Sequence, residues 1–573
     1  MRRTLIILTL FLIGNHSVTA QEPTGEQAIY DYLGTDDPSE LDSDEIERLE
    51  RLLDAPVRIN MCDDVELRTC GLFSAYQIAV LEDYISTHGT IRSFIELSLL
   101  DGFGEIFVRR ILPFVSLLSE SKTNQRSSTE TRHELVSRGG LSLREGERLD
   151  GSYGIKYRLT GKEDMSAVLA ASGSSVSESW IPSAFSGSIS WRSRKVPFRM
   201  ITGDFNARFG QGLVLWNGSF INSLTSPDSF MKKPSGLAQP WSFTGNTALS
   251  GVAMDYRLGK FLVSAVAAFP GLKTVLLKPD AVQFMPAFNV SWFCRAGQVS
   301  FTNVTAVPTG VGNAEVLQKT GVDAAFCVRG VNFFGEIAYD WLENVPSVIA
   351  GTRFKAGEAL DMAVQARSLQ DERSGAAVGV SFTSGNRFTG TFVADAEYYH
   401  VPKDKDDRHS LRLKCLLAME TVFSGGWKMR LRVSERIRTW GLPFRTDIRT
   451  DLIYSSGTFM AALRANVLTC DRAGYLSYLE GGYIAGRFSA YLRQGVFCID
   501  DWDDRIYVYE RDAPGSFNVP AMYGRGVWTS LTSQFKFSSS LRFHARASLL
   551  AYPFMQKKKP GKAELKLQLQ YRF

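Results

Sequence analysis

The sequence predicts a mainly β protein: a transmembrane antiparallel β-barrel of about 24 strands with a small all-α domain in front of it. Three observations carry that expectation. The stretch 563–573 alternates strictly, with Ala563, Leu565, Leu567, Leu569, Tyr571 and Phe573 on one side of a strand and Glu564, Lys566, Gln568, Gln570 and Arg572 on the other. From His133 onward, short alternating segments rich in aromatic and β-branched residues recur roughly every 15 to 20 residues, among them 153–159, 263–266 and 429–433, with no long amphipathic helix between them. The connections between these segments alternate between tight and long, as in a barrel whose turns are short on one side of a membrane and long on the other.

Arg2 and Arg3 precede the apolar run 5–12, and Val18 and Ala20 occupy the small-residue positions before Gln21. Residues 1–20 therefore read as a secretory signal peptide, too short to span a bilayer. No other stretch reaches about eighteen apolar residues, so no membrane-crossing helix is expected. Residues 21–57 read as an acidic linker with one short helix at 43–53, where Ile46, Leu49, Leu52 and Leu53 share a face. The seven cysteines are scattered, with neither a disulfide framework nor a metal spacing. Cys62 and Cys70 either pair, if the fold brings them together, or are two small buried residues.

Residues 58–115 change character. A short helix runs through Leu67 to Gly71-Leu72, and a longer one spans 75–86, with Ala75, Ile78, Ala79 and Ile85 on one face and His88-Gly89 as its C-cap. Ser93 and Glu96 form a capping box for the next helix. Gly102-Phe103-Gly104 then opens a last helix over 105–112, stopped by Pro113. With Leu72 after Gly71, the His88-Gly89 break, and Phe94, Leu97 and Leu100 ahead of the glycine hairpin, this segment resembles a tandem helix-hairpin-helix domain of the type found in competence DNA receptors. In that family the hairpin presents backbone N–H groups to a DNA phosphate. The resemblance implies a phosphate- or partner-binding hairpin at Gly102, Phe103 and Gly104, with Arg109 and Arg110 behind it. The first hairpin, Gly71-Leu72-Phe73-Ser74, lacks its second glycine, and eight acids face five arginines across 58–115. Phosphate binding is largely electrostatic, so this charge disfavours nucleic acid. The alternative is a compact helical module that docks a periplasmic protein or the barrel mouth. Residues 116–132 are a Ser/Thr-rich linker.

The barrel is expected to fill 133–573. Tight connections fall near Lys162, Arg194, Gly259, Gly297, Gly330, Gly357, Gly385, Gly425, Gly457, Gly486 and Ser539. The others fall near Glu145, Val176, Gly271, Val311, Glu343, Glu372, Lys405, Leu442, Asp471 and Lys558, and the two longest are 217–246 and 499–522. Barrel ends on one side of the membrane require an even strand number, and the two sets together give about 24. The pair around Tyr507 and Tyr509 is expected in a folded loop, not the wall. The final strand, ending on Phe573, resembles the closing strand of Gram-negative (Bacteroidetes-like) outer-membrane β-barrel proteins. That resemblance implies an outer-membrane location with the N-terminal domain in the periplasm, and lipid and lipopolysaccharide as neighbours. Lys557, Lys558 and Lys559, in the last loop, are then expected near lipid phosphates.

Charge is unevenly spread. The chain is +5 overall, yet 21–57 carries −10 and 58–115 carries −3, leaving roughly +15 for 133–573. Lipopolysaccharide contact and an anion-selective lumen both account for a basic barrel. Two glycine motifs flank the two longest loops: Gly203-Asp204 with Gly210-Gln211-Gly212 and Trp216, and Gly524-Arg525-Gly526. They either kink the wall or meet inside the lumen and narrow it. Enzyme motifs are missing, so no catalytic residue, metal or cofactor is expected. No separate plug domain is expected either, because the region before the barrel is small and helical; a barrel this wide is open unless loops fill it. The leading expectation is passage of material across the outer membrane, gated by the head or with the head recruiting a periplasmic partner. DNA uptake through the head, and a closed structural scaffold, are the alternatives. Cargo and oligomeric state are not legible in the sequence.

Overall fold

The computed structural model describes residues 25–33, 43–118, 131–161, 165–174, 182–193, 195–218, 224–243, 247–271, 282–310, 315–357, 359–370, 373–385, 387–401, 408–439, 444–470, 472–516, 518–555 and 559–573. The expected signal peptide, most of the 116–132 linker, Lys557 and Lys558 lie outside the described residues.

The barrel is a closed antiparallel sheet of 24 wall strands, from Arg132–Arg144 to Lys562–Arg572. Each wall strand pairs with its neighbour in sequence, and the last pairs with the first from Lys562↔Arg144 to Arg572↔Glu134. Closure leaves no exposed sheet edge, which a bilayer demands because no water is present to satisfy unpaired backbone groups. The tight and long connections alternate as the sequence predicts. The turn between Val328 and Val331 shows why the tight ones are glycine-bearing: Arg329 and Gly330 both take positive φ, 51° and 78°, the type I′ geometry that matches strand twist. Ile506–Tyr507 pairs with Ala521–Met522 in a separate two-stranded sheet, within a loop and not the wall.

Period-2 alternation sorts each strand into a lipid face and a lumen face. In the closing strand Leu565, Leu567, Leu569 and Tyr571 are exposed while Gln568 and Gln570 are buried, so the apolar side chains face outward. Aromatic pairs mark both rims. Trp427–Tyr454, Phe459–Tyr483 and Phe535–Phe537 lie at the tight-turn end; Tyr339–Trp341 and Trp502–Tyr523 lie at the long-loop end. Phe573 stacks on His133 at 4.8 Å, and the two residues exchange backbone hydrogen bonds of 2.8 and 3.0 Å across the seam. Phe573→Asp puts a carboxylate among the outward-facing residues of this seam. We expect it to lower the yield of heat-modifiable barrel in membranes at least severalfold; normal yield refutes that role for the terminal aromatic.

Among the described residues six α-helices precede the wall: α1 (Gly25–Leu33), α2 (Ser43–Asp54), α3 (Asp64–Thr69), α4 (Ala75–His88), α5 (Phe94–Leu99) and α6 (Gly104–Ile111). Their starts follow capping chemistry. Asp63 accepts the Glu66 N–H, Ser74 and Gln77 form a reciprocal box, and Ser93 Oγ accepts the Glu96 N–H. The Glu96 carboxylate instead reaches the Arg92 N–H and the Tyr84 hydroxyl. Val57–Arg58 pairs in parallel with Val115–Ser116 and clasps the two ends of the α3–α6 segment. Cys62 and Cys70 are both free thiols, and Cys70 donates to the Leu67 carbonyl.

Two expectations are corrected here. The stretch 21–57 holds two helices, and Ala28, Ile29 and Tyr32 of α1 and Ile46, Leu49 and Leu52 of α2 share one apolar core with Leu72, Leu81, Leu97, Phe103, Ile111 and Phe114. α1 is only 9 residues long, and its apolar positions are hidden in an acidic sequence. The lumen is also not left to loops alone. The helical head seats in the tight-turn end of the barrel and acts as a plug, held by side chains from strands all around the wall.

Candidate functional site

Charge joins the head to the wall. Eight head carboxylates pair with eight wall cations: Asp31 with Lys428 and Arg430, Glu47 with Lys156, Asp54 with Arg542 and Arg572, Asp63 and Glu66 with Arg192, Asp64 and Glu82 with Arg257, and Asp83 with Arg295. This is a different account of the acidic head and basic barrel from the two drawn from sequence: much of the excess positive charge faces the head. Burial alone would raise the Asp54 carboxyl, but Arg542 and Arg572 outweigh it and hold it below the usual carboxylate range.

The seam converges on Lys156, a wall residue that is 1% exposed. Its Nζ donates to Glu47 Oε1 of α2 at 2.9 Å and to the Trp241 carbonyl at 2.6 Å, and lies 3.9 Å from the Phe243 ring centroid. Trp241 and Phe243 belong to the loop 224–243, which folds into the lumen. Phe230 of that loop packs on Phe334, Ala363, Ala377, Val393 and Leu416. The wall makes room for it: a Cβ on Gly379 would come within 2.8 Å of the Phe230 ring. Asp228 ties the loop to Arg353 of the wall and pairs with Lys233 of the same loop, and Lys233 reaches the Tyr32 hydroxyl of α1 at 3.4 Å. Burial would raise the Asp228 carboxyl, yet Lys233 and Arg353 push it far below its usual range.

The second long loop also turns inward. Arg493 donates to the Tyr509 carbonyl at 2.7 Å, Arg546 pairs with Glu510, and Lys566 holds Asp512 at 2.7 Å. Tyr509 meets Tyr30 of α1 edge-to-face at 5.3 Å. The Gly515 N–H donates to Glu50 Oε2 of α2 at 2.6 Å. Glu50 lines a small internal cavity of about 40 Å³ beside Glu47, Asp54 and Lys156. Burial, reinforced by Glu47 and Asp54 against the pull of the Gly515 N–H and Lys156, pushes its carboxyl up to about 8. Two loops, one helix and one wall lysine therefore meet at a single junction.

The residues predicted from sequence sit around this junction, mostly as its supports. The hairpin Gly102-Phe103-Gly104 faces the wall: Phe103 is buried, its carbonyl is 3.5 Å from Lys355 Nζ, and a Cβ on Gly104 would lie 3.3 Å from the same amine. Arg109 pairs with Glu105. Arg110 is one of the cations that act on Asp228. Gly203 takes φ +91 where the wall approaches the Gly187 carbonyl, and Asp204 accepts from the Gly187 N–H and the Ser250 hydroxyl. Gly210 and Gly212 shape a turn whose Gln211, Leu213 and Val214 N–H groups all donate to Glu336, while Gln211 Oε1 accepts the Lys232 N–H. Trp216 lies under Arg208 and Lys232. Gly524 and Gly526 sit in the wall near Tyr552, and Arg525 forms a two-pronged pair with Asp500 at 2.7 Å. The loops that the two glycine motifs root meet, with Gly515 facing Phe243. Lys559 turns its amine to the Tyr523 carbonyl and over the Tyr523 ring.

Sequence reading missed Lys156, Glu47, Glu50, Asp54, Arg542, Arg572, Trp241 and Phe243. The available signal was the opposite charge of two parts of one chain, which is what a docked pair of surfaces requires.

No known family model matches the sequence, and no curated protein does. Solved structures similar to it include the siderophore receptor PirA from Pseudomonas aeruginosa, with TM-score 0.42 and 8% identity over 78% of this chain and 81% of that one. The P pilus usher (PapC) translocation pore gives 0.32 and 9% over 77% and 99%. OccK3 (OpdO) of Pseudomonas aeruginosa gives 0.29 and 10% over 78% and 96%. The class defined by the coordinates themselves is a membrane β-barrel stoppered by its own helical head.

Proposed function

We propose that this chain is a gated pore of the outer membrane, with the helical head as its gate and the tight-turn end in the periplasm. The observation that carries the reading is the character of the seam. The head keeps its apolar residues in a core of its own and meets the wall through ion pairs and hydrogen bonds. A polar interface of this kind can part without exposing a hydrophobic core. A permanently closed scaffold would be expected to share apolar core between head and wall.

Opening then needs a force on the head from the periplasm. α5 offers a handle: Ile95 and Leu99, one turn apart, are 75% and 81% exposed. A periplasmic protein partner engages this face, and the hairpin at Gly102, Phe103 and Gly104 with Arg109 and Arg110 transmits the pull to the wall at Lys355. The glycine motifs root the inward loops. DNA binding ranks second, because Gly104 abuts a wall lysine and Arg109 already holds Glu105.

Planar-bilayer recording tests the gate. In a chain whose native cysteines are serine, Asp54→Cys with Arg542→Cys is bridged by a short cleavable bis-maleimide. Openings of large conductance are expected before bridging and after cleavage, and none while bridged. Equal conductance in all three states rejects the gate.

A further inference from the structure

A cavity of about 300 Å³ lies between α2, the wall and the inward loop 224–243. Five guanidinium groups line it, from Arg48 and Arg51 of α2 and Arg158, Arg199 and Arg208 of the wall, against one carboxylate, Glu47. Glu47 is already held by Lys156 at 2.9 Å. Outside the lining, Glu45 pairs with Arg48 at 2.9 Å and Asp255 with Arg199 at 3.9 Å, while Glu134 is held by Arg572 at 3.0 Å and by Gln570 at 2.7 Å. The positive charge that remains, centred on Arg51 and Arg158, is costly in so confined a space unless an anion shares it.

The arginines divide into two kinds. Arg48 donates to the Cys70 carbonyl and to Glu45, Arg199 to the Leu237 carbonyl at 3.1 Å, and Arg208 to the Asn217 carbonyl at 3.1 Å. Arg51 and Arg158 have no hydrogen bond or ion pair from their guanidinium groups among the described residues. The Arg158 guanidinium lies over the Trp241 ring, 3.8 Å from its centroid. A cation–π contact of this kind localises the guanidinium without using a hydrogen-bond acceptor, so N–H donors remain for an oxyanion. Burial and the neighbouring Arg48 lower the Arg51 guanidinium, a sign of crowded positive charge.

We propose that this cavity is a binding site for a compact oxyanion bearing two or more negative charges, gripped between Arg51 of the head and Arg158 of the wall. The volume is at the small end of ligand pockets, fit for a molecule the size of pyrophosphate or a tricarboxylate. Two planar forks suit either phosphate or carboxylate oxygens. Because one arginine belongs to the head and the other to the wall, the bound anion ties the gate to the barrel and favours the seated state by mass action. Only this last consequence rests on the gating reading. Binding itself can succeed in a chain that never conducts, and can fail in one that does.

Calorimetric titration of the full chain in detergent with inorganic pyrophosphate, and separately with citrate, decides the matter. One-to-one binding tighter than about 1 mM is expected for at least one probe, and the better probe distinguishes phosphate from carboxylate preference. Arg51→Gln and Arg158→Gln should each weaken it at least about tenfold. Arg158→Lys, which keeps the charge but loses the fork, should fall between. Arg92→Gln, on the head surface, should match the wild type. Heat-modifiable migration checks that every variant is folded. Failure of the wild type to bind either probe at about 10 mM, or undiminished binding in both glutamine variants, overturns the site.

Discussion

Asp54→Lys should turn a closed barrel into a conducting one. Asp54 stands at the end of α2 and is held by Arg542 and Arg572 from two adjacent wall strands, the latter at 3.0 Å. Reversal replaces two attractions by two repulsions at contact distance. The groups are about a quarter exposed, so solvent screens part of the effect. Each pair is then worth about 1–3 kcal/mol, and the reversal roughly 4 kcal/mol in all. A shift of that size moves a two-state equilibrium by on the order of 10³. The expected record is frequent large openings where the wild type shows few. The rescue is the sharper measurement: Asp54→Lys combined with Arg542→Asp restores one opposite-charge pair, leaves Arg572 on Glu134, and should close the barrel again in large part. If the double variant conducts like the single one, the pairing does not hold the gate.

The wall was readable from sequence because its determinants are local. Alternation fixes which side chains face lipid, and turn residues fix where strands end, so counting connections recovered the 24 strands. The plug was not readable for the opposite reason. Glu47 and Lys156 are 109 residues apart in the chain, Gly515 and Glu50 are 465 apart, and no local pattern announces either pair. Charge totals did carry the information, but a basic barrel has several uses, and a total cannot say which carboxylate meets which cation. α1 illustrates a second limit. Its apolar residues are too few to signal a helix alone, and they make sense only against Phe114, whose ring meets Tyr32 edge-to-face at 5.6 Å. The glycine hairpin shows a third. Gly102 and Gly104 take φ 80° and 73°, while the neighbour of Gly104, Lys355, comes from the wall about 250 residues later.

Glu50 makes the seated head sensitive to alkali. Its carboxyl is pushed up to about 8, chiefly by burial, from an ordinary value of 4.5. Glu47 and Asp54 on the same helix push it the same way; the Gly515 N–H from the inward loop and Lys156 from the wall oppose them. An acid whose value is raised in the seated state binds more protons there than when released to water. Its contribution is therefore complete below about pH 4.5, shrinks as pH rises through the window from 4.5 to 8, and is lost above it. The size is at most a few kcal/mol, because Glu50 still borders a small cavity. Asp54 guards the other side: held below its ordinary 3.8 by Arg542 and Arg572, it weakens the seat only when pH falls below the usual carboxylate range. Open probability in planar bilayers should thus rise between about pH 6 and 9 in the wild type. Glu50→Gln, neutral at every pH and still able to accept the Gly515 N–H, should stay closed across that range and flatten the profile. A Glu50→Gln variant that opens with the same pH dependence as the wild type would place the alkaline transition on another group.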